Sequence, residues 1–221
     1  MSAPVDPARQ AEIVKLGRLL GREPASLKYL QGIPAGDIRA LRELTNAALF
    51  DEDTEVLKRL AAAGKLLPTG VVAAISERAF GPLLAARVAG VMEPQRAADV
   101  GRCLDPTFMA DVCVQLDPRA AHEIVSRMDL ETVLAVTGEL LDREDYVTLG
   151  RFVGAMPDAE LAAILEITED DELVRVCAVA ESTEGVAQIF AMLGGERLVS
   201  LRQRASRSDL AHEAEVLRDR L

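Results

Sequence analysis

The stretch Leu104–Leu130, "LDPTFMADVCVQLDPRAAHEIVSRMDL", says nearly the same thing every twelve residues. The beat starts one unit upstream: Glu93-Pro94, Asp105-Pro106 and Asp117-Pro118 are spaced by twelve, and Asp129-Leu130 follows at the same interval. A large apolar residue precedes each acidic one: Met92, Leu104, Leu116 and Met128. Counted from the acidic residue, apolar or small side chains return four positions on (Ala97, Met109, Ala121, Val133) and seven positions on (Val100, Val112, Ile124, Val136). Such spacing puts them on one face of a helix.

The acidic residue stands where an N-cap is needed. Its carboxylate can accept a hydrogen bond from an orphan N–H of the first turn, at the positive end of the helix dipole. The proline after it suits the first helical position, where its missing N–H costs nothing. Each unit therefore reads as one short helix and a brief link. A helix of about nine residues is unstable alone, so tandem copies must stack their apolar stripes on one another. The expected fold is all-α, an α-superhelix (solenoid) of short helices with a period of about twelve residues.

The pattern continues with noise. "LLDREDYVTLGRFVGA" (Leu140–Ala155) is a longer unit with Asp142 as its expected cap, and "MPDAELAAILEI" starts at Met156. "TEDDELVRVCAVA" starts at Thr168, with Thr168 and Asp171 at capping-box spacing. "STEGVAQIFAML" starts at Ser182, with Gly194-Gly195 as an expected stop. Upstream, two helices are expected on either side of Phe80-Gly81-Pro82. Residues 1–64 hold helices separated by Gly and Pro but lack the beat, and read as an N-terminal helical cap or small lobe. Residues 65–205 read as the repeats, and 206–221, with Leu210, Ala214, Leu217 and Leu221 on one face, as a C-terminal capping helix.

On these residues, the tandem short helices opening "LDP", "MDL" and "MPD", the chain resembles the N-terminal α-superhelical domain of MgtE-type magnesium transporters. More distantly it resembles the helical repeats of the flagellar motor-switch protein FliG. The likeness covers about Leu67–Leu193. In the transporter family this domain is cytosolic, precedes CBS domains and a pore, and helps to sense magnesium. Neither companion lies within these 221 residues, so the resemblance implies a stand-alone helper or sensor domain.

Composition narrows the function. The net charge of −11 repels nucleic acid and anionic lipid. Aromatic residues make up 3% of the chain, too few for base-stacking surfaces. No apolar stretch is long enough to cross a bilayer. The three cysteines, Cys103, Cys113 and Cys177, have no paired spacing, fit a reducing cytoplasm, and lie among apolar positions expected in the core. Arg outnumbers Lys and Ala is abundant, as in GC-rich bacterial genomes.

Catalytic signatures are missing: no P-loop, GxSxG or HExxH occurs, and the two histidines, His122 and His212, are far apart in sequence. The dense carboxylates "DEDTE" (Asp51–Glu55), "DRED" (Asp142–Asp145) and "TEDDE" (Thr168–Glu172) read first as solvated helix starts. Mg²⁺ needs only one or two carboxylates at no fixed spacing, which makes Asp170 and Asp171 the candidate metal residues. The C-terminal stretch holds a basic concentration, Arg197, Arg202, Arg204 and Arg207; Arg202 is placed to pair with acids on preceding helices, and an anionic partner is the alternative. The expectation is a non-enzymatic cytosolic protein-interaction or sensor module, with a protein partner, no cofactor beyond a possible Mg²⁺, and self-association open. The alternative is a binder of small apolar ligands.

Overall fold

A computed structural model describes residues 6–50 and 54–205 of the chain. Every described element is helical, and no strand occurs among the described residues. The N-terminal part holds α1 (Pro7–Leu20), a 3-10 segment (Pro24–Gly32), α2 (Ala35–Phe50) and α3 (Thr54–Gly64). Then come α4 (Thr69–Ile75), a π turn (Ser76–Phe80), α5 (Gly81–Val91), α6 (Pro94–Gly101), α7 (Pro106–Gln115) and α8 (Pro118–Val125). The chain continues through α9 (Leu130–Asp142), α10 (Tyr146–Phe152), α11 (Asp158–Ile167), α12 (Asp170–Val179), α13 (Thr183–Met192) and α14 (Gly195–Ala205). The expected capping helix at 206–221 lies outside the described residues.

The helix starts are built as the acidic-proline pattern requires, with exceptions that have causes. Asp105 accepts from the Thr107 N–H at 2.9 Å, and Asp129 from the Thr132 N–H at 2.8 Å. Glu93 occupies the same position before Pro94 without a side-chain capping bond. Asp142 is not a cap: it is the last residue of α9, and Asp145 caps α10 through the Thr148 N–H at 3.1 Å. The capping box falls one residue after the expected one, on Glu169 and Glu172, because the Thr168 hydroxyl donates back to the Ile164 carbonyl and closes α11. The break expected at Gly194-Gly195 is there: α13 ends at Met192, Gly194 is non-helical, and Gly195 opens α14.

Packing follows the period. Helices α3, α5, α7, α9 and α11 each pack on the next of that series, and so do α4, α6, α8, α10, α12 and α14. The residues four and seven after each acidic position, from Ala97 and Val100 to Val133 and Val136, are all buried. All but Val100, which packs with Val72 and Ala73, join Leu116, Met128, Leu140 and Phe152 in one apolar cluster. A second cluster, with Leu161, Val174 and Ile189, fills the space among α11–α14. Small residues set the closest approach: a Cβ on Gly150 of α10 would stand 2.9 Å from Val179 Cγ2 and 3.1 Å from the Val176 carbonyl of α12.

The first helices are placed in a way the period does not specify. Helix α3 packs on α5, where Leu57 and Ala61 are buried with Val88. Helices α1 and α2 form their own hairpin with the 3-10 segment, around Ile13, Leu16, Leu27, Leu30 and Ile38. That hairpin lies with α1 against α10 and α12. Of the three cysteines, Cys113 and Cys177 are buried but Cys103 is exposed, since it falls in the turn after α6.

Candidate functional site

An apolar cavity of about 160 Å³ lies where α3, α4, the π turn and α5–α7 meet. Its walls come from sequence features already named. The C-terminal end of α3 supplies Leu60 and Gly64; α5 supplies Val88 and Met92; Val100 and Leu104 belong to the first clear repeat. The helix after Thr69 widens into a π turn, with the Gly81 N–H donating to the Ser76 carbonyl five residues back. Gly81 takes φ +72°, which a side chain would resist, and this lets α5 restart in a new direction. The widening faces Ser76 and Phe80 toward the cavity. Ser76 is the only lining residue with a polar side chain, and its hydroxyl is already committed to the Val72 carbonyl at 3.0 Å. No titratable side chain lines the space. The cavity can hold apolar groups.

The mouth is apolar too. Leu60, Leu67 and Ile75 line the cavity yet remain 36%, 40% and 36% exposed. Val56 shares a face of α3 with Leu60, Val71 shares a face of α4 with Ile75, and both are exposed, as is Leu66. Isolated surface leucines are ordinary; contiguous apolar surface around an apolar hollow is not.

The two aspartates predicted to hold metal sit together at the start of α12, facing α14. Asp170 accepts from Arg197 Nε at 3.0 Å and from the Ser200 hydroxyl at 2.6 Å, and Arg204 lies 3.7 Å away. Asp171 accepts from Arg204 at 2.9 Å. Burial alone would raise the Asp170 carboxyl, but Ser200, Arg197 and Arg204 outweigh it and hold it below the usual carboxylate range. Two members of the C-terminal basic run, Arg197 and Arg204, thus pair with acids of an earlier helix, where the sequence pointed to Arg202. Among the described residues, no three His, Cys, Asp or Glu side chains gather as a metal-binding set. His122 is exposed.

A second polar arrangement, not anticipated from the sequence, joins the α1–α2 hairpin to the rest. Glu12 is 1% exposed and Lys15 is 5% exposed, although both are charged. Lys15 Nζ lies 3.3 Å from Glu12 and 2.7 Å from Glu181. Arg42 bridges the same two carboxylates at 3.1 and 3.2 Å, and Arg39 adds a contact to Glu12 at 3.3 Å. One turn along α1, Arg18 donates to Asp145 at 2.8 Å and to the Thr148 hydroxyl at 2.7 Å. Burial works to raise both Asp145 and Glu181, but Arg18 on the first and Lys15 with Arg42 on the second leave them below their ordinary values. Arg151 donates to the Val114 and Leu116 carbonyls at 2.9 and 2.6 Å. Burial lowers its pKa, and the neighbouring Arg42 and Arg18 lower it further against the pull of Glu181.

The signal for this junction was faint but present: Glu12 and Lys15, spaced for a helical pair, alternate with Ala11, Ile13 and Leu16, all buried, so α1 is covered on more than one side. Compared with protein-family models, with curated proteins and with solved structures, the chain matches none of them.

Proposed function

We propose that the chain is a non-enzymatic helical-repeat module, an α-superhelix that binds a partner protein at its first helices. The superhelical reading is supported by the two interleaved series, in which each helix packs on the helix two places along. The single observation that carries the binding reading is the apolar cavity beneath an apolar rim. Terminal repeats of a stack need a polar outer face or a cover to stay soluble. Here the hairpin that could have covered α3 and α4 packs on α10 and α12. A partner helix inserting a Leu or Phe side chain would fill the hollow and cover Leu66, Leu67 and Ile75 in one step.

A small apolar ligand is the second reading, favoured by the near-complete apolar lining. A dry cavity of about 150 Å³ can take a benzene-sized molecule. The rim argues for the larger occupant, because a molecule of that size would leave Leu66 and Val71 in water. A magnesium-responsive form of this role follows from the resemblance to the transporter domain. It would require an ion to displace Arg197 and Arg204 from Asp170 and Asp171.

The test is capture from cells with the whole chain. Proteins retained by the parent should be lost with Leu66→Asp plus Leu67→Asp and kept with Tyr29→Asp, a substitution at an exposed residue on the distant hairpin. Equal retention by the two variants removes this end as the binding site. Native mass spectrometry of the purified protein showing a tightly held apolar molecule would favour the small-ligand reading.

A further inference from the structure

The polar junction encloses a cleft of about 240 Å³ that is separate from the apolar cavity. Five basic side chains from four helices line it: Lys15 and Arg18 of α1, Arg42 of α2, Arg87 of α5 and Arg151 of α10. The one carboxylate in the lining is Asp117. The acids that pair with these cations from behind are Glu12, Glu181 and Asp145. The lining itself carries five cations against one carboxylate, inside a chain whose net charge is −11. Arg151 concentrates the imbalance. Its terminal nitrogens reach only carbonyls, and its Nε is buried with no hydrogen-bond partner among the described residues.

Like charges are costly to gather where water is partly excluded, and a fold stability argument alone gives no reason to add more of them than the acids can balance. We infer that this cleft binds a small phosphate-bearing dianion. The predominantly basic lining matches such a ligand. The geometry favours phosphate over a dicarboxylate, because the cations converge on one space from several sides. Phosphate oxygens radiate from a single centre, whereas each carboxylate presents two oxygens in a plane. A space of 240 Å³ has room for a phosphate and part of the molecule that carries it. The ligand would also tie α1 and α2 to α5 and α10, so binding and docking of the N-terminal hairpin are coupled.

The test uses the full chain labelled with ¹⁵N and titrated with inorganic phosphate, pyrophosphate or malonate, each against NaCl at matched ionic strength. The inference expects saturable shifts for phosphate or pyrophosphate at the amides of Gly21 and of Val114–Asp117, and none at Leu60 or Ile75. Arg151→Gln and Arg87→Gln should each weaken that binding roughly tenfold or more, the loss expected for one charge-assisted contact. Shifts no larger than those in NaCl, or shifts spread over the surface, overturn the site. Saturation by malonate alone overturns the ligand class. Because the first readout is made on the unmodified protein, a variant that folds poorly does not decide the outcome, and the rim variants that test partner binding leave this cleft untouched.

Discussion

Replacing Glu12 by Gln removes one charge from the best-buried ion cluster of the molecule and leaves its shape intact. The parent carboxylate stands 3.3 Å from both Lys15 and Arg39 and 3.1 Å from Arg42. Its side chain is 1% exposed and that of Lys15 is 3% exposed, so water cannot replace what is lost. Deleting one partner of a buried pair costs about 3–5 kcal/mol, because the other charge stays buried. The amide oxygen of Gln can still accept a hydrogen bond and Glu181 still faces Lys15, which sets the expectation near the lower end, about 3 kcal/mol. The loss should be local. Helix α1 carries its own apolar cluster with α2, so the hairpin should release from α10 and α12 before the repeats unfold. Hydrogen exchange would then show faster exchange for the amides of α1 and α2 and little change in α5–α9, and urea unfolding followed by circular dichroism would show an early phase. Glu12→Met combined with Lys15→Met should recover much of the stability, since a buried pair can be exchanged for apolar contact at small cost. A single substitution within about 0.5 kcal/mol of the parent, in the range of an ordinary surface change, refutes the reasoning. So does a double substitution worse than the single one.

Other outcomes are within reach of simple assays. Asp105→Ala should cost about 1 kcal/mol through loss of its bonds to the Thr107 and Phe108 N–H groups, read as a lower urea midpoint at unchanged slope. Gly150→Ala should destabilise by about 1–3 kcal/mol, because the new Cβ has no room against Val179 and the Val176 carbonyl, whereas Gly138→Ala, in open space, should not. Of the three thiols, Cys103 should react with a disulfide reagent in the native protein; Cys113, buried and with its pKa pushed up to about 12, and buried Cys177 should react only on unfolding. Asp145, Glu181 and Asp170 have folded pKa values below their unfolded ones, so their contribution is complete above the unfolded carboxylate range near pH 4 and is lost as pH falls through the folded values. Thermal melts should therefore be flat from neutrality to about pH 5 and fall steeply below pH 4.

The repeating part of the fold was legible because each unit states its own start, its own face and its own length. Asp105 and Asp129 could be read as caps from local sequence, since an N-cap needs only the next three residues to act. The buried offsets from Ala97 to Val136 followed from period alone. Errors arose where two neighbours offer the same chemistry: Asp142 against Asp145, and Thr168 against Glu169. There the choice is made by where the preceding helix ends, which depends on packing and not on the local residues. Asp170 and Asp171 illustrate the same limit for function. An acidic run at a helix start looks alike whether it faces solvent, a cation or arginines, and only the return of α14 brings Arg197 and Arg204 onto it.

The basic cleft was illegible for a stronger reason. Its cations come from α1, α2, α5 and α10, so no window of sequence contains more than two of them. The overall charge of −11 points away from a basic cleft, because a sum over the chain does not show where its charges lie. What the sequence does carry is a contradiction within α1. A helix that buries Ala11, Ile13 and Leu16 while spacing Glu12, Lys15 and Arg18 at intervals of three has no side left for solvent alone. Burying the pair Glu12 and Lys15 needs counter-charges from outside the helix. That requirement could have been stated from the sequence, and it implies that α1 docks on a charged surface. The partners that satisfy it, Glu181 on one side and Asp145 on the other, stand 166 residues after Lys15 and 127 residues after Arg18. The same long-range docking places the hairpin on α10 and α12, so the ion cluster that builds the basic cleft also leaves the apolar mouth at Leu66, Leu67 and Ile75 uncovered.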